Sequence, residues 1–290
     1  MIKSYKLKRG IANTAIYIIL AVMCLIWIFP LVWLVLHSFR INPVDPSIAP
    51  AKFSDTLFPL ANEWGFDNYI GLFKETQFLR WFLNTLFVAV CSCIISTLSV
   101  LMVAYTFSRL RFKARKPFIN VGMIMGMFPG FMTTIAMLHI LKLIGLDQSL
   151  LGLILCYSGG SGLGYLVAKG FFDTIPRALD EAATIDGANK NQIFWKIILP
   201  MSKPIVVYTV LTSFINPWCD FILVRILMSD NDANYTVSRG LWYWTEKEMI
   251  NNNFRYFLSG SVVVAIPITA LFLYMQKYYV EGVTAGGVKG

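Results

Sequence analysis

The sequence predicts an all-α integral membrane protein with six transmembrane helices, and three observations predict it. Hydrophobic residues make up 57% of the 290-residue chain and charged residues only 14%, against about 25% charged in a typical soluble domain. Apolar runs reach the roughly 20 residues that a helix needs to cross a hydrocarbon core; residues 11–36 and 82–107 contain no Asp, Glu, Lys or Arg at all. The net charge of +9 is gathered in the short flanks of these runs. A basic protein is ordinarily a candidate for nucleic-acid binding. Basic residues confined to span flanks instead follow the positive-inside rule, so the partner is the lipid bilayer and not nucleic acid.

The first span, 11–37, follows Lys3, Lys6, Lys8 and Arg9, which place the N-terminus in the cytoplasm. Its apolar run is longer than a signal-peptide core and has no small-x-small cleavage site, so it reads as a retained helix. Residues 40–79 carry Pro43, Pro46, Pro50 and Pro59 and form an extracytoplasmic loop with one short amphipathic helix near 68–74. The second span, 80–107, leads into Arg109, Arg111, Lys113, Arg115 and Lys116 with no acid among them, a cytoplasmic loop. In the third span, 118–141, Gly122, Gly126 and Gly130 lie four apart on one face. In lipid, small residues at that spacing let backbones approach closely. The fourth span, 149–169, has Gly159, Gly160, Gly162 and Gly164 near its middle. That cluster fits neither phosphate-loop pattern and has no Lys after it, so close packing is its reading.

The fifth and sixth spans are 204–226 and 257–276. Pro129, Pro217 and Pro267, inside or at the edges of spans, are expected to kink helices. Between the last two spans the outside stretch 225–255 carries Asp230, Asp232, Trp242, Tyr243 and Trp244. Six spans return the C-terminus to the cytoplasm. The organisation is therefore a tail and first span (1–38), an outer loop (39–79), a main membrane domain (80–276) and a C-terminal tail (277–290). Cys24, Cys91, Cys93, Cys156 and Cys219 all lie in or beside spans and read as small hydrophobes, with neither a disulfide framework nor a metal site implied. His37 and His139 sit near span ends without an obvious partner, which speaks against an intramembrane enzyme.

The longest cytoplasmic stretch, 171–203, has legible local chemistry. Asp173 or Thr174 is placed to cap a helix beginning at Pro176, and Asp180 and Glu181 complement the dipole of its first turn. Gly187 is placed to stop that helix in a left-handed conformation. Asn189 caps a second helix ending near Pro200. Ala178, Ala182 and Ile185 form one stripe, with Ala183 and Ala188 nearby and Glu181 beside them. Small side chains let a helix sink into a partner's groove, and a carboxylate at its edge can pair with Arg. A helix resting on the bilayer would carry Lys or Arg opposite large apolar residues, which this one lacks.

Glu181-Ala182-Ala183, then Gly187, then Ile197-Ile198-Leu199-Pro200 resembles the EAA signature of ABC importer permeases. Asp186, Ala188, Phe194 and Pro204 extend the likeness to its sugar-permease form. Residues 281–290 resemble the tail of the smaller membrane subunit of maltose/maltodextrin-type transporters, and the similarity runs from about residue 68 to the end. The resemblance implies a type I ABC importer transmembrane fold whose coupling helix sits in a cleft of an ATPase. Glu181, Ala182, Ala183, Asp186, Gly187 and Ala188 would make that contact, with Glu181 pairing to the ATPase and Gly187 making the turn. Thr284, Ala285 and Gly286 would lie in a tail reaching between two ATPases.

The chain has no Walker sequence, so no catalytic residue, cofactor or metal is expected in it; ATP and Mg are used by partner subunits. The partners implied are a larger permease subunit, two ATP-binding subunits and an extracytoplasmic sugar-binding protein, at a bacterial plasma membrane. The substrate implied is an oligosaccharide such as a maltodextrin. Asn216, Trp218 and Asp220 offer an aromatic face and hydrogen-bonding groups for a sugar path, and they equally suit a membrane interface. Trp242 and Trp244 fit contact with the binding protein and interfacial anchoring alike. The alternatives are an ABC permease for amino acids or peptides, and a secondary transporter, which calls for an inverted repeat that the chain does not show.

Overall fold

The computed structural model describes residues 2–41, 64–159, 164–228, 231–246 and 249–287, with the backbone alone at 2–9, 11, 251 and 279–287. Pro43, Pro46, Pro50, Pro59, Gly160, Gly162 and Asp230 fall outside the described residues. Within those residues the chain is helical, without strands. Helix α1 is Ile2–Ser38 and α2 is Asp67–Glu75, close to the amphipathic helix expected at 68–74. Then come α3 Phe78–Arg109, α4 Arg115–Met127, α5 Gly130–Leu143, α6 Leu150–Gly159 and α7 Gly164–Asp173. The series continues with α8 Ala178–Ile185, α9 Lys190–Met201, α10 Lys203–Cys219 and α11 Ile222–Leu227. It closes with α12 Val237–Tyr243 and α13 Ile250–Gly287.

Among the described residues, four stretches are long and apolar enough to cross a membrane: Ala12–Ser38, Phe78–Arg109, Leu150–Asp173 (which holds α6 and α7) and Asn252–Tyr278. Six are reached only by counting two bent pairs, so the expected third and fifth spans need correction. The third is two helices, α4 and α5, meeting at 105°. Phe128 is extended there (φ −68, ψ 138), as a residue before proline prefers, and Pro129 takes ψ 128. The break also separates the glycines: Gly122 and Gly126 lie on α4, whereas Gly130 opens α5. Only Gly122 of the three is buried, and a Cβ there would meet the Tyr165 hydroxyl at 2.5 Å. The fifth span ends early. Helix α10 stops at Cys219, and Asp220 is extended and accepts the backbone N–H of Leu223 at 3.1 Å, opening α11.

The chain divides into two compact units. The first combines residues 1–76 and 243–263. Its membrane-crossing α1 is unburied along the apolar window, as suits a helix apolar all round with lipid as its solvent. Its polar centre is Asn68, whose amide donates to the Ser38 and Arg40 carbonyls at 3.0 and 2.8 Å. Phe39, Phe66 and Tyr69 form a ring cluster beside it, and His37 stacks on Trp33 at 4.3 Å. Gly71 lies so close to Tyr256 that a Cβ would meet its hydroxyl at 2.8 Å.

The second unit, residues 77–242 and 264–290, is organised around α3, against which α6, α7 and α10 pack. The buried face of α3 is rich in small polar residues, among them Thr85, Ser92, Ser96 and Thr97. Thr85 and Ser92 return their hydroxyl hydrogens to carbonyls one turn back. Ser213 of α10 reaches Ser96 at 3.2 Å, a hydroxyl contact of the kind that joins helices in lipid. Segment 231–242 clasps one end of α3: Trp81 Nε1 donates to the Asp232 carbonyl, Asn84 to those of Ala233 and Tyr235, and Thr85 accepts Val237 N–H. Gly240 leaves room for the Trp81 ring, where a Cβ would fall 2.0 Å from Cε3.

Candidate functional site

At the opposite end of α3, residues 173–201 build a helix, turn and helix. The left-handed stop expected at Gly187 is there, with φ +83. Ala188 N–H bonds the Ala183 carbonyl at 2.9 Å and Gly187 N–H that of Thr184 at 3.1 Å. This pair of bonds is a Schellman cap. Asn189 then starts α9 with a reciprocal capping box: its Oδ1 accepts Gln192 N–H, and its own N–H reaches Gln192 Oε1, both at 2.9 Å. The start of α8 differs from expectation. Helix α8 begins at Ala178, preceded by Arg177 with no side-chain cap, because Asp173 and Thr174 are engaged elsewhere. Thr174 donates to the Phe171 carbonyl, and Asp173 accepts from Ser108 at 2.6 Å and Lys169 at 2.5 Å.

Helix α9 does not stop before Pro200. It widens into a π-helical turn over Phe194–Ile198, and Pro200 sits in the next turn before the break at Ser202. Wider i→i+5 bonding, such as Leu199 N–H to the Phe194 carbonyl, accommodates a residue that donates nothing.

The hairpin has two faces. Ala183 is buried among Ile175, Ile193, Phe194 and Ile198, and half-buried Ala188 packs on the same core. Ala178, Glu181, Ala182 and Asp186 are exposed, and Ile185 is 86% exposed. The signature residues thus divide: Ala183 holds the hairpin to the bundle, while Glu181 and Ala182 look away from it. The turn also borders a depression of about 240 Å³ lined by Asp186, Gly187, Ala188, Gln192, Lys196 and Ile197.

Three residues of α3 fasten the hairpin, and sequence reasoning missed all three. Tyr105 donates to the Lys190 carbonyl at 3.1 Å, Ser108 donates to Asp173, and Arg109 pairs with Asp180 at 3.4 Å. Arg109 Nη2 also donates to the Ile175 carbonyl at 2.9 Å, and Arg177 reaches the Ser108 carbonyl at 3.5 Å. Their i, i+3, i+4 spacing was the available signal, since it puts them on one helical face.

The other predicted residues are dispersed. Thr284, Ala285 and Gly286 lie in the helical backbone of α13, which runs on to Gly287 within the stretch assigned to the tail. Asn216 is exposed. Trp218 is 3% exposed, its ring lying 5.2 Å from that of Phe82 and 5.9 Å from that of Phe214. Asp220 caps α11 and its carbonyl accepts the Ser238 hydroxyl at 2.7 Å. Trp242 is exposed against Phe221, whereas Trp244 is buried beside Tyr256.

Residues 95–284 match the family model of the binding-protein-dependent transport system inner membrane component. The chain belongs to that family. It is 34% identical over 291 residues to the maltodextrin transport system permease protein MalD of Streptococcus pneumoniae (strain ATCC BAA-255 / R6), covering 100% of both chains. It is also 34% identical over 294 residues to the galactooligosaccharides transport system permease protein GanQ of Bacillus subtilis (strain 168), again covering 100% of both. Among solved structures, a bacterial ABC transporter involved in the import of the acidic polysaccharide alginate shares the fold, with TM-score 0.75, 19% identity and coverage of 93% and 97%. Members of this family are transport subunits rather than enzymes.

Proposed function

We propose that this chain is the smaller membrane subunit of an ATP-driven, binding-protein-dependent importer of oligosaccharides. Its partners are a larger permease subunit, two ATP-binding subunits and an extracytoplasmic sugar-binding protein, and both of its termini lie in the cytoplasm. The observation that carries the reading is the hairpin, which turns Ala178, Glu181, Ala182 and Ile185 away from the bundle while its inner face is fastened to it. Exposed small and apolar residues beside a carboxylate match an ATPase groove lined with apolar groups and an Arg. ATP and Mg act only on the ATPases. Closure of that pair displaces the hairpin, and the displacement shifts the bundle only because the ATPase binds its two states with different free energies.

The sugar class rests on full-length relatives that carry maltodextrins and galactooligosaccharides. Along the sugar path, Asn216 and Asp220 present the polar contacts, and Trp218 is buried against Phe82 and Phe214 rather than offering its ring face. Reconstituted transporter tests the proposal. ATP hydrolysis should rise with a saccharide-loaded binding protein. Stimulation by an amino acid or peptide, with none by any saccharide, would overturn the substrate class.

A further inference from the structure

Among the described residues, the largely buried ion pair between Arg109 and Asp180 is the one that joins α3 to α8. The side chains are 5% and 14% exposed, and the separation is 3.4 Å. Arg109 ends α3, the helix at the centre of the second unit, and Asp180 lies in the first turn of α8. The same guanidinium donates to the Ile175 carbonyl, so it holds the entry to α8 as well as the helix itself. Tyr105 holds the first residue of α9 and Ser108 holds the last residue of α7, from the same face of α3.

A buried pair adds little net stability compared with well-packed apolar residues, yet breaking it strands a charge in a poor solvent. Such a contact is suited to bearing displacement. Ala183 seats α8 in a close-packed apolar core, and the ion pair adds a contact between α8 and α3 whose separation leaves a charge unpaired. We propose that Arg109 and Asp180 are positioning residues that make α3 follow the movement of α8, so that ATP turnover is converted into rearrangement of the bundle. The proposal rests on the reading of α8 as the helix held by the ATPase. It adds which bundle helix receives the motion, and through which atoms.

The test uses the complete transporter in proteoliposomes, with maltotriose presented by its binding protein. Sugar moved per ATP hydrolysed is measured for Asp180→Asn, for Arg109→Met and for the reversed pair Arg109→Asp/Asp180→Arg. Both single variants should keep their ATPase subunits and hydrolyse ATP, while the ratio falls by about tenfold or more, and the reversed pair should recover most of it. An unchanged ratio in both single variants overturns the proposal. So does a loss confined to the amount of assembled complex at an unchanged ratio, because a structural role alone produces that. Ile185→Asp in the same preparations separates the two readings. ATPase retention untouched by it sinks the docking of α8, whereas ATPase lost in it and a normal ratio in Asp180→Asn sink only the link to α3.

Discussion

Gly187 isolates the contribution of backbone handedness to the hairpin. Its φ is +83, in the left-handed region, and a Cβ built on it meets nothing within 4 Å. A side chain there therefore costs conformational energy without any clash inside this chain. For an ordinary L residue that cost is about 1–2 kcal/mol, and it is smaller for Asn, which visits the region more readily. A difference of 1–2 kcal/mol changes a two-state population by about 5–30-fold. Gly187→Val should therefore weaken attachment of the ATP-binding subunit by about 5–30-fold. Gly187→Ala should fall somewhat short of that, and Gly187→Asn should lie nearest the parent. The assay is retention of the ATPase on immobilised permease complex across a titration of ATPase concentration. Parent-like retention in Gly187→Val would refute the reasoning. A loss in Gly187→Asn as large as in Gly187→Val would also refute it, because bulk meeting a partner, not handedness, would then be decisive.

Three further outcomes follow from neighbouring geometry. Asn189→Ala removes the Oδ1 that accepts Gln192 N–H and keeps the backbone N–H that donates to Gln192 Oε1; it should destabilise the start of α9 by about 1 kcal/mol, read as faster amide exchange over 190–193 with the α3 amides unchanged. Gly240→Ala sets a methyl 2.0 Å from Trp81 Cε3 and should cost about 1–3 kcal/mol by overpacking, seen as a lower unfolding midpoint in detergent. Combining it with Trp81→Ala should return part of that loss. Thr85→Val leaves the buried N–H of Val237 without its 2.8 Å acceptor and should lower the same midpoint by about 1–3 kcal/mol; an unchanged midpoint would show that the clasp on α3 carries no weight.

Legibility differed from element to element for identifiable reasons. The Gly187 stop and the Asn189 cap were readable because each depends on a few adjacent residues and their allowed dihedrals. The start of α8 was not, because Asp173 had a stronger engagement with Ser108 and Lys169 than with the nearby backbone. The aromatic residues of 216–244 looked alike in sequence and turned out unlike: Trp218 and Trp244 are buried, whereas Trp242 is exposed. Arg109 was readable as one more basic loop residue and Asp180 as a dipole partner. Neither role announces a mutual contact.

What the sequence determined by itself is whatever sums along the chain: residence in lipid, the approximate spans, the two caps and the family. Transfer to hydrocarbon and helix capping are local terms, so composition and spacing suffice for them. Tertiary structure alone decided the 105° break between α4 and α5 and the end of α10 at Asp220. It alone decided which alanine of the signature faces the bundle, and that α3 holds the hairpin through Tyr105, Ser108 and Arg109. Those outcomes depend on which helical faces meet, and residues far apart in the chain acquire a shared energy only when packing removes the solvent between them.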